Sequence, residues 1–192
     1  MRAHAINSLD NFVAGWYSDQ HQLCSDIISY HAANDPQQGK VGNRVDLAVK
    51  DSRDCVLAGD LMQSYGEHVL QPCIEAYCLL YPEVTTTAAG WYLSEPVNIQ
   101  HYAPNGGFKT WHYERSHGSL PNASRFLVFM TYLNTVTEGG GTEFKRQGTV
   151  QAAAGLTLIW PTEWTHTHRG IVSTSQHKWI ATGWLSLSGE PC

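Results

Sequence analysis

The hydrophobic period changes once along the chain, and that change constrains the fold more than any other feature. Before about residue 90 apolar side chains recur every four residues. Leu23, Ile27 and His31 mark one helix, with Ser18 and Asp19 as N-cap candidates. Leu57, Leu61, Tyr65 and Val69 mark a second, beginning at about Asp54. Pro72 should end or kink it, and a further turn or two runs from Ile74 to Leu80. Between the helices Val45, Leu47 and Val49 alternate with polar residues, which predicts a strand.

From Val97 the period is two. Strands are expected over Val97 to Tyr102, Phe108 to Glu114, Arg125 to Asn134, Gly148 to Ala152, Leu156 to Trp160, Thr165 to Val172 and His177 to Leu187. Asn105-Gly106-Gly107, Gly118 to Asn122, Glu138 to Gly141 and Pro161 supply turns between them. Helices first and many short strands afterward predict an α+β domain, with the helices packed on one sheet of a sandwich or barrel.

The bulk numbers agree with one folded domain. The chain has 192 residues, 42% hydrophobic and 15% charged, enough for a sizeable core. Residues 1 to 12 lack the apolar run of a signal peptide, and no stretch is long and apolar enough to span a bilayer. A soluble, cytoplasmic protein is therefore expected. The five cysteines, Cys24, Cys55, Cys73, Cys78 and Cys192, are odd in number and form no C-x-x-C pair, so idle thiols are expected rather than disulfides or structural zinc. Net charge is −5 and the twelve Lys and Arg form no basic run, which argues against nucleic acid as partner. Seven Trp and nine Tyr suit both a core and a substrate groove.

The chemistry begins at His112-Tyr113-Glu114. On extended backbone His112 and Glu114 project together, while Trp111 and Tyr113 point away. An imidazole and a carboxylate side by side are two ligands for one divalent metal, and a third must come from elsewhere. Two His and one carboxylate on one face of an octahedron leave positions open, the arrangement of non-haem iron(II) oxygenases. Downstream, His166 and His168 share a predicted strand face, and Lys178 follows on a strand where Lys178, Ile180, Thr182 and Trp184 point one way. A lysine on an inward apolar face calls for an anion. At a strand edge the same lysine would reach water along its stem.

Taken in order, Gln100-His101-Tyr102-x9-His112-x-Glu114, Arg125 with Tyr132-Leu133-Asn134, Gly139-Gly140-Gly141-Thr142-Glu143-Phe144 and His168-x9-Lys178 resemble the prolyl 4-hydroxylase-like branch of the 2-oxoglutarate/iron(II) oxygenases. The resemblance covers roughly Val97 to Leu187 and implies a double-stranded β-helix, or jelly roll, with N-terminal support helices. It implies a single domain over residues 1–192, with helical support to about 90 and a jelly-roll core over about 91–188. It implies His112, Glu114 and His168 as iron ligands, although the family usually carries Asp where this chain has Glu114. It implies that Lys178 pairs with the far carboxylate of 2-oxoglutarate, with Tyr102, Tyr132 and Thr142 lining the same pocket. His101, His117, His166 and His177 are left as structural or supporting residues.

The activity so implied is hydroxylation of a C–H bond, first of all in a peptidyl-proline, with release of succinate and CO2. Iron(II), 2-oxoglutarate and dioxygen would be required, with ascorbate as a stimulant. The partner would be a proline-containing peptide or protein lying across the barrel mouth. Arg125 would hold a peptide carbonyl and Trp184 would pack on a proline ring, while Arg115 to Asn122 and Pro36 to Asn43 would act as lids. Other substrates, such as a free amino acid, another protein side chain or a nucleobase, fit the same chemistry. Two other readings differ in class. A cupin-like metal protein needs an acid soon after His166-x-His168, and none comes before Glu190. A carbohydrate-binding or structural jelly roll would not need the ordered His, Glu, His and Lys.

Overall fold

The computed structural model describes residues 1–4, 11–86, 89–116 and 118–191. His117 and Cys192 lie outside the described residues. In chain order the elements are β1 (Arg2–His4), β2 (Ala14–Tyr17), α1 (His21–Ala33), β3 (Gln37–Gln38), β4 (Lys50–Asp51), β5 (Arg53–Val56), α2 (Gly59–Tyr65), α3 (Gln71–Leu80), β6 (Ala89–Leu93), β7 (Asn98–Tyr102), β8 (Gly107–Phe108), β9 (Arg125–Tyr132), β10 (Thr142–Phe144), β11 (Gly148–Val150), β12 (Leu156–Pro161), β13 (His168–Gly170) and β14 (Lys178–Pro191).

The large sheet runs β1-β2-β12-β9-β14-β7-β5-β3, with β6 also paired to β14. A smaller sheet, β11-β10-β13, faces it, and β4 pairs with β8. Every pairing among these strands is antiparallel. This is the double-stranded β-helix, with the helices against the large sheet.

Strand alternation divides the interior into two cores. On β9, Leu127 and Phe129 face the helices, where Ile27, Tyr65, Val69, Cys73 and Tyr77 meet them. Val128, Met130 and Tyr132 face the barrel interior with Leu156, Leu158, Trp160, Phe144 and Ile180. A sheet buried on both faces explains why β9 reads as the near-continuous apolar run RFLVFMTY. The consecutive glycines Gly139 and Gly140 turn the chain into β10. Both have positive φ, and a Cβ on Gly139 would sit 2.2 Å from the Val172 carbonyl oxygen.

Several local expectations are corrected. Val45 and Leu47 form no strand and are half exposed. Asp46 explains why: its side chain accepts from the Ala48 N–H, and its carbonyl accepts from Val49 and Lys50, closing a turn. The segment from Asp54 begins as strand, because Arg53–Val56 pairs with both β7 and β3, and the helix starts only at Gly59. Ser18 and Asp19 do not cap α1. Gln20 holds that position, and Ser18 bonds instead to the Gly155 carbonyl through both N and Oγ.

Pro72 does not end the helical run, although the α-helical pattern breaks just before it. It stands in the first turn of α3, directly after a π-helical turn over Gly66–Leu70. That wider turn bonds the Gln71 N–H to the Gly66 carbonyl, which avoids the contact Pro72 would otherwise make one turn back. The N-terminal third also supplies strands β1 to β5, more than the single strand expected there. No helix among the described residues is long and apolar enough to cross a membrane.

Candidate metal and anion site

His112 lies on a segment that pairs less than expected. Regular pairing over Phe108 to Glu114 is confined to Gly107–Phe108 and one isolated bridge between His112 and His168. The bridge has two backbone bonds, His112 N–H to His168 O at 3.0 Å and His168 N–H to His112 O at 2.9 Å. Thr165 to Val172 is likewise not one strand. A 3-10 turn over Trp164–His166 precedes β13, so His166 and His168 do not share a face. The His166 Nε2 donates to the Asn11 carbonyl at 2.9 Å, which removes it from the cluster and leaves no cupin-like His pair.

The bridge brings His112, Glu114 and His168 together, their ligand atoms all within 4.8 Å of one another. Glu114 Oε1 is 3.5 Å from the Nε2 of each histidine. The other ring nitrogens are engaged: His112 Nδ1 lies 2.9 Å from the Thr110 carbonyl and His168 Nδ1 2.9 Å from the His166 carbonyl. A carbonyl only accepts, so each Nδ1 carries the proton and each Nε2 presents a lone pair to the cluster. Phe108 stacks on His112 at 3.7 Å, and Trp160 packs edge-on against His168 at 5.1 Å.

Burial alone would raise the Glu114 carboxyl, but with each Nε2 protonated as well the two imidazoles donate to it, outweigh burial and hold it well below the usual carboxylate range; a bound metal would replace those protons. Burial lowers His168, with Glu114 opposing. An ionised carboxylate beside imidazole nitrogens is the donor set that iron(II) takes in open-faced sites.

Lys178 lies at the start of β14, in register with Tyr102 of β7. Its side chain is buried, and its Nζ is 5.4 Å from the ring centres of both Tyr102 and Tyr132. No carboxylate among the described residues pairs with it, and burial pushes the amine down to about 8. The Tyr132 hydroxyl donates to Thr142 Oγ1 at 2.6 Å, and the Tyr102 hydroxyl donates to Gln100 Oε1 at 2.5 Å. A small cavity reaches this point, lined by Tyr102, Gly106, Gly107, Ile171, Ser173 and Lys178 among others. Deeper in the barrel the Trp160 indole N–H is buried with no partner among the described residues. A buried uncompensated cation beside a cavity fits an anionic ligand.

Arg125 and Trp184 stand elsewhere than expected. Arg125 is buried and forms paired bonds to Glu95, at 2.7 and 2.8 Å. Its guanidinium lies 3.7 Å over the Trp184 ring, and Trp184 Nε1 donates to Glu114 Oε2 at 3.0 Å. Both residues are thus engaged with Glu114 and its surroundings. Glu95, Phe108 and Trp160 were not singled out from sequence. Gln100 was legible as the residue two before Tyr102 on an alternating strand, whereas Glu95 precedes the strand and carries no periodic signal.

Of the expected lids, residues 115–122 are tied at their root. Arg115 donates to Ala123 O at 2.8 Å and pairs with Glu163 at 2.8 Å. In the other, Gln37–Gln38 is a short edge strand on β5.

Residues 97–186 match the 2OG-Fe(II) oxygenase superfamily profile. No curated protein matches the chain by sequence. Solved structures share its fold. A viral collagen prolyl hydroxylase from Paramecium Bursaria Chlorella virus-1, solved as its 2OG complex, superposes with a TM-score of 0.69 at 14% identity, covering 92% of this chain and 96% of that one. A Pseudomonas putida prolyl-4-hydroxylase gives 0.68 at 11% identity, covering 92% and 94%. A Trichoplax adhaerens prolyl hydroxylase, in complex with a hypoxia inducible factor peptide fragment, gives 0.67 at 10% identity, covering 92% and 84%.

Proposed function

We propose that the chain, whose residues 97–186 match the 2OG-Fe(II) oxygenase superfamily, is one of these enzymes and hydroxylates a prolyl residue in an extended peptide. As a 2-oxoglutarate-dependent dioxygenase it uses iron(II), 2-oxoglutarate and dioxygen. The observation that carries the assignment of roles is the pairing of the His112–Glu114–His168 cluster with a buried, unneutralised Lys178 in one barrel.

In this reading His112, Glu114 and His168 hold the iron. Lys178 neutralises the far carboxylate of 2-oxoglutarate, between the faces of Tyr102 and Tyr132. Thr142 fixes the Tyr132 hydroxyl, so that ring keeps its place whether or not the pocket is filled. Bound iron(II) with 2-oxoglutarate supplies the oxidation of the C–H bond, one oxygen atom entering the product and the other succinate, with CO2 lost. The chain's own contribution is to orient these groups and to exclude water through the two apolar cores.

The peptidyl-proline substrate is supported by the fold shared with three prolyl hydroxylases, one of them holding a peptide. It is supported also by exposed apolar groups on the loops next to the ligands. Leu120 is 78% exposed on the loop after Glu114, and Trp164 is 69% exposed on the turn before His168. Arg115 links those loops through Glu163 and the Thr162 carbonyl. Such surfaces suit a proline ring presented on an extended backbone. The test compares succinate release with proline-rich peptides, free amino acids and nucleotides, and maps the product by mass spectrometry. Proline peptides should stimulate turnover and gain one oxygen on a prolyl residue. Stimulation by amino acids or nucleotides alone would refute the peptide substrate.

A further inference from the structure

Glu114 is longer than the carboxylate usual at this position of the family, and the structure gives each of its oxygens a different task. Oε1 faces the two histidine Nε2 atoms, at 3.5 Å from each. Oε2 faces the other way, 3.0 Å from Trp184 Nε1 and 3.6 Å from an Arg125 nitrogen. Trp184 is itself fixed, because Arg125 lies flat on its ring at 3.7 Å, and Arg125 is held in turn by its paired bonds to Glu95. Arg125 also donates to the Glu114 backbone carbonyl at 3.3 Å.

We propose that Trp184, backed by Arg125 and Glu95, is a positioning residue that holds Glu114 as a one-oxygen metal ligand. The physical need is plain. A glutamate side chain has more rotamers to lose than an aspartate on being ordered at a metal. A carboxylate with both oxygens free also can take two positions on a metal that must keep positions open. The indole N–H removes both freedoms: it engages Oε2 and leaves Oε1 toward the histidines. The pairing of Arg125 with Glu95 matters as well, because it directs the guanidinium charge chiefly to Glu95 and keeps Arg125 from withdrawing Glu114 from the cluster. An aspartate, shorter by roughly 1.5 Å, could not reach the indole and the metal position at once. The residue type at 114 and the tryptophan at 184 are therefore one device.

The proposal rests on the iron reading above, and its test separates the two. Fe(II) alone is titrated anaerobically into wild type, Trp184→Phe, Glu114→Asp and the double variant, and the visible absorption of each Fe(II)–2-oxoglutarate complex is recorded. Trp184→Phe keeps an aromatic ring under Arg125 and removes the N–H together with the five-membered ring. It should weaken Fe(II) binding about tenfold, as expected for a lost hydrogen bond to a charged group, and should shift the absorption band. The double variant should bind no more weakly than the worse single variant, because both changes break the same contact. Glu95→Gln, remote from the metal, should give a smaller loss of the same kind, and it serves if Trp184→Phe does not fold. Unchanged affinity and spectrum in the folded variants, or losses that multiply, would overturn the proposal alone. A wild type that binds no Fe(II) would overturn the metal reading and this proposal with it.

Discussion

Lys178 and His112, the two ends of the proposed site, are held by the backbone in different ways. Lys178 opens a long strand whose register with β7 places Tyr102 beside it, and whose register with β9 places Tyr132 two residues on. That end is fixed by continuous ladders across the large sheet. His112 and Glu114 sit on a segment with one isolated bridge, and their places depend on the exchange with His168 and on side-chain contacts from Glu95, Arg125 and Trp184. The anion end is thus built into the sheet. The metal end is assembled from loops, so it should be the more sensitive to single side chains and the more ordered by its ligand.

The largest effect should come from the metal end. His112→Ala and His168→Ala should each abolish 2-oxoglutarate turnover and lower Fe(II) affinity below detection in anaerobic titration, while the far-ultraviolet circular dichroism stays native. Retained Fe(II) binding in either variant would move the metal elsewhere. At the anion end Lys178→Ala should raise the KM for 2-oxoglutarate by roughly 10- to 100-fold, the loss expected of a charge-assisted pair. Fe(II) binding should stay near wild type, because the sheet carries the rest of that end. Lys178→Arg should recover part of the loss, since it keeps the charge in another shape.

A pH series sharpens the same comparison. Burial lowers the Lys178 amine to about 8 in the free protein, and a bound carboxylate would raise it. Below pH 8 the amine is already charged and affinity for 2-oxoglutarate is full. Above pH 8 binding must take up a proton, so Kd should rise by up to roughly tenfold per pH unit. A flat profile from pH 7 to 9.5 would detach Lys178 from the cosubstrate. The smallest effect is expected at the loop root. Arg115–Glu163 is a half-exposed pair, so solvent screens it, and Arg115→Ala should change peptide KM by no more than a few-fold.

What was legible in the sequence follows the same division. Lys178 lies on a strand whose alternation shows in the sequence, so period-two reasoning puts it on the face of Ile180 and Trp184, whereas Tyr102 and Tyr132 were legible only through the family resemblance. His112 and Glu114 were also placed together, although the strand that justified it is mostly unpaired. Extended backbone suffices for the i, i+2 geometry, and no ladder is needed. His166 misled because a 3-10 turn breaks the alternation just before His168, and the signal for it, Glu163 closing on His166, is a backbone bond that composition does not reveal. The contacts of Arg125 and Trp184 were not legible, because Glu95, the partner of Arg125, lies in a loop with no periodic mark. The helical half was legible by its four-residue spacing. Its short strands were not, because two- to four-residue strands at a sheet edge leave almost no pattern.

The proposed site unites, in one barrel, a His112–Glu114–His168 iron centre with a Lys178 anchor for 2-oxoglutarate. Its most direct test is conversion of 2-oxoglutarate to succinate by the purified protein, followed by NMR with Fe(II) and oxygen each added or withheld, and with the Lys178→Ala and His168→Ala variants alongside. Succinate should form only when Fe(II) and oxygen are both present, none should come from His168→Ala, and high 2-oxoglutarate should restore conversion by Lys178→Ala. Succinate formed without Fe(II), or conversion equal to wild type in His168→Ala, would contradict it.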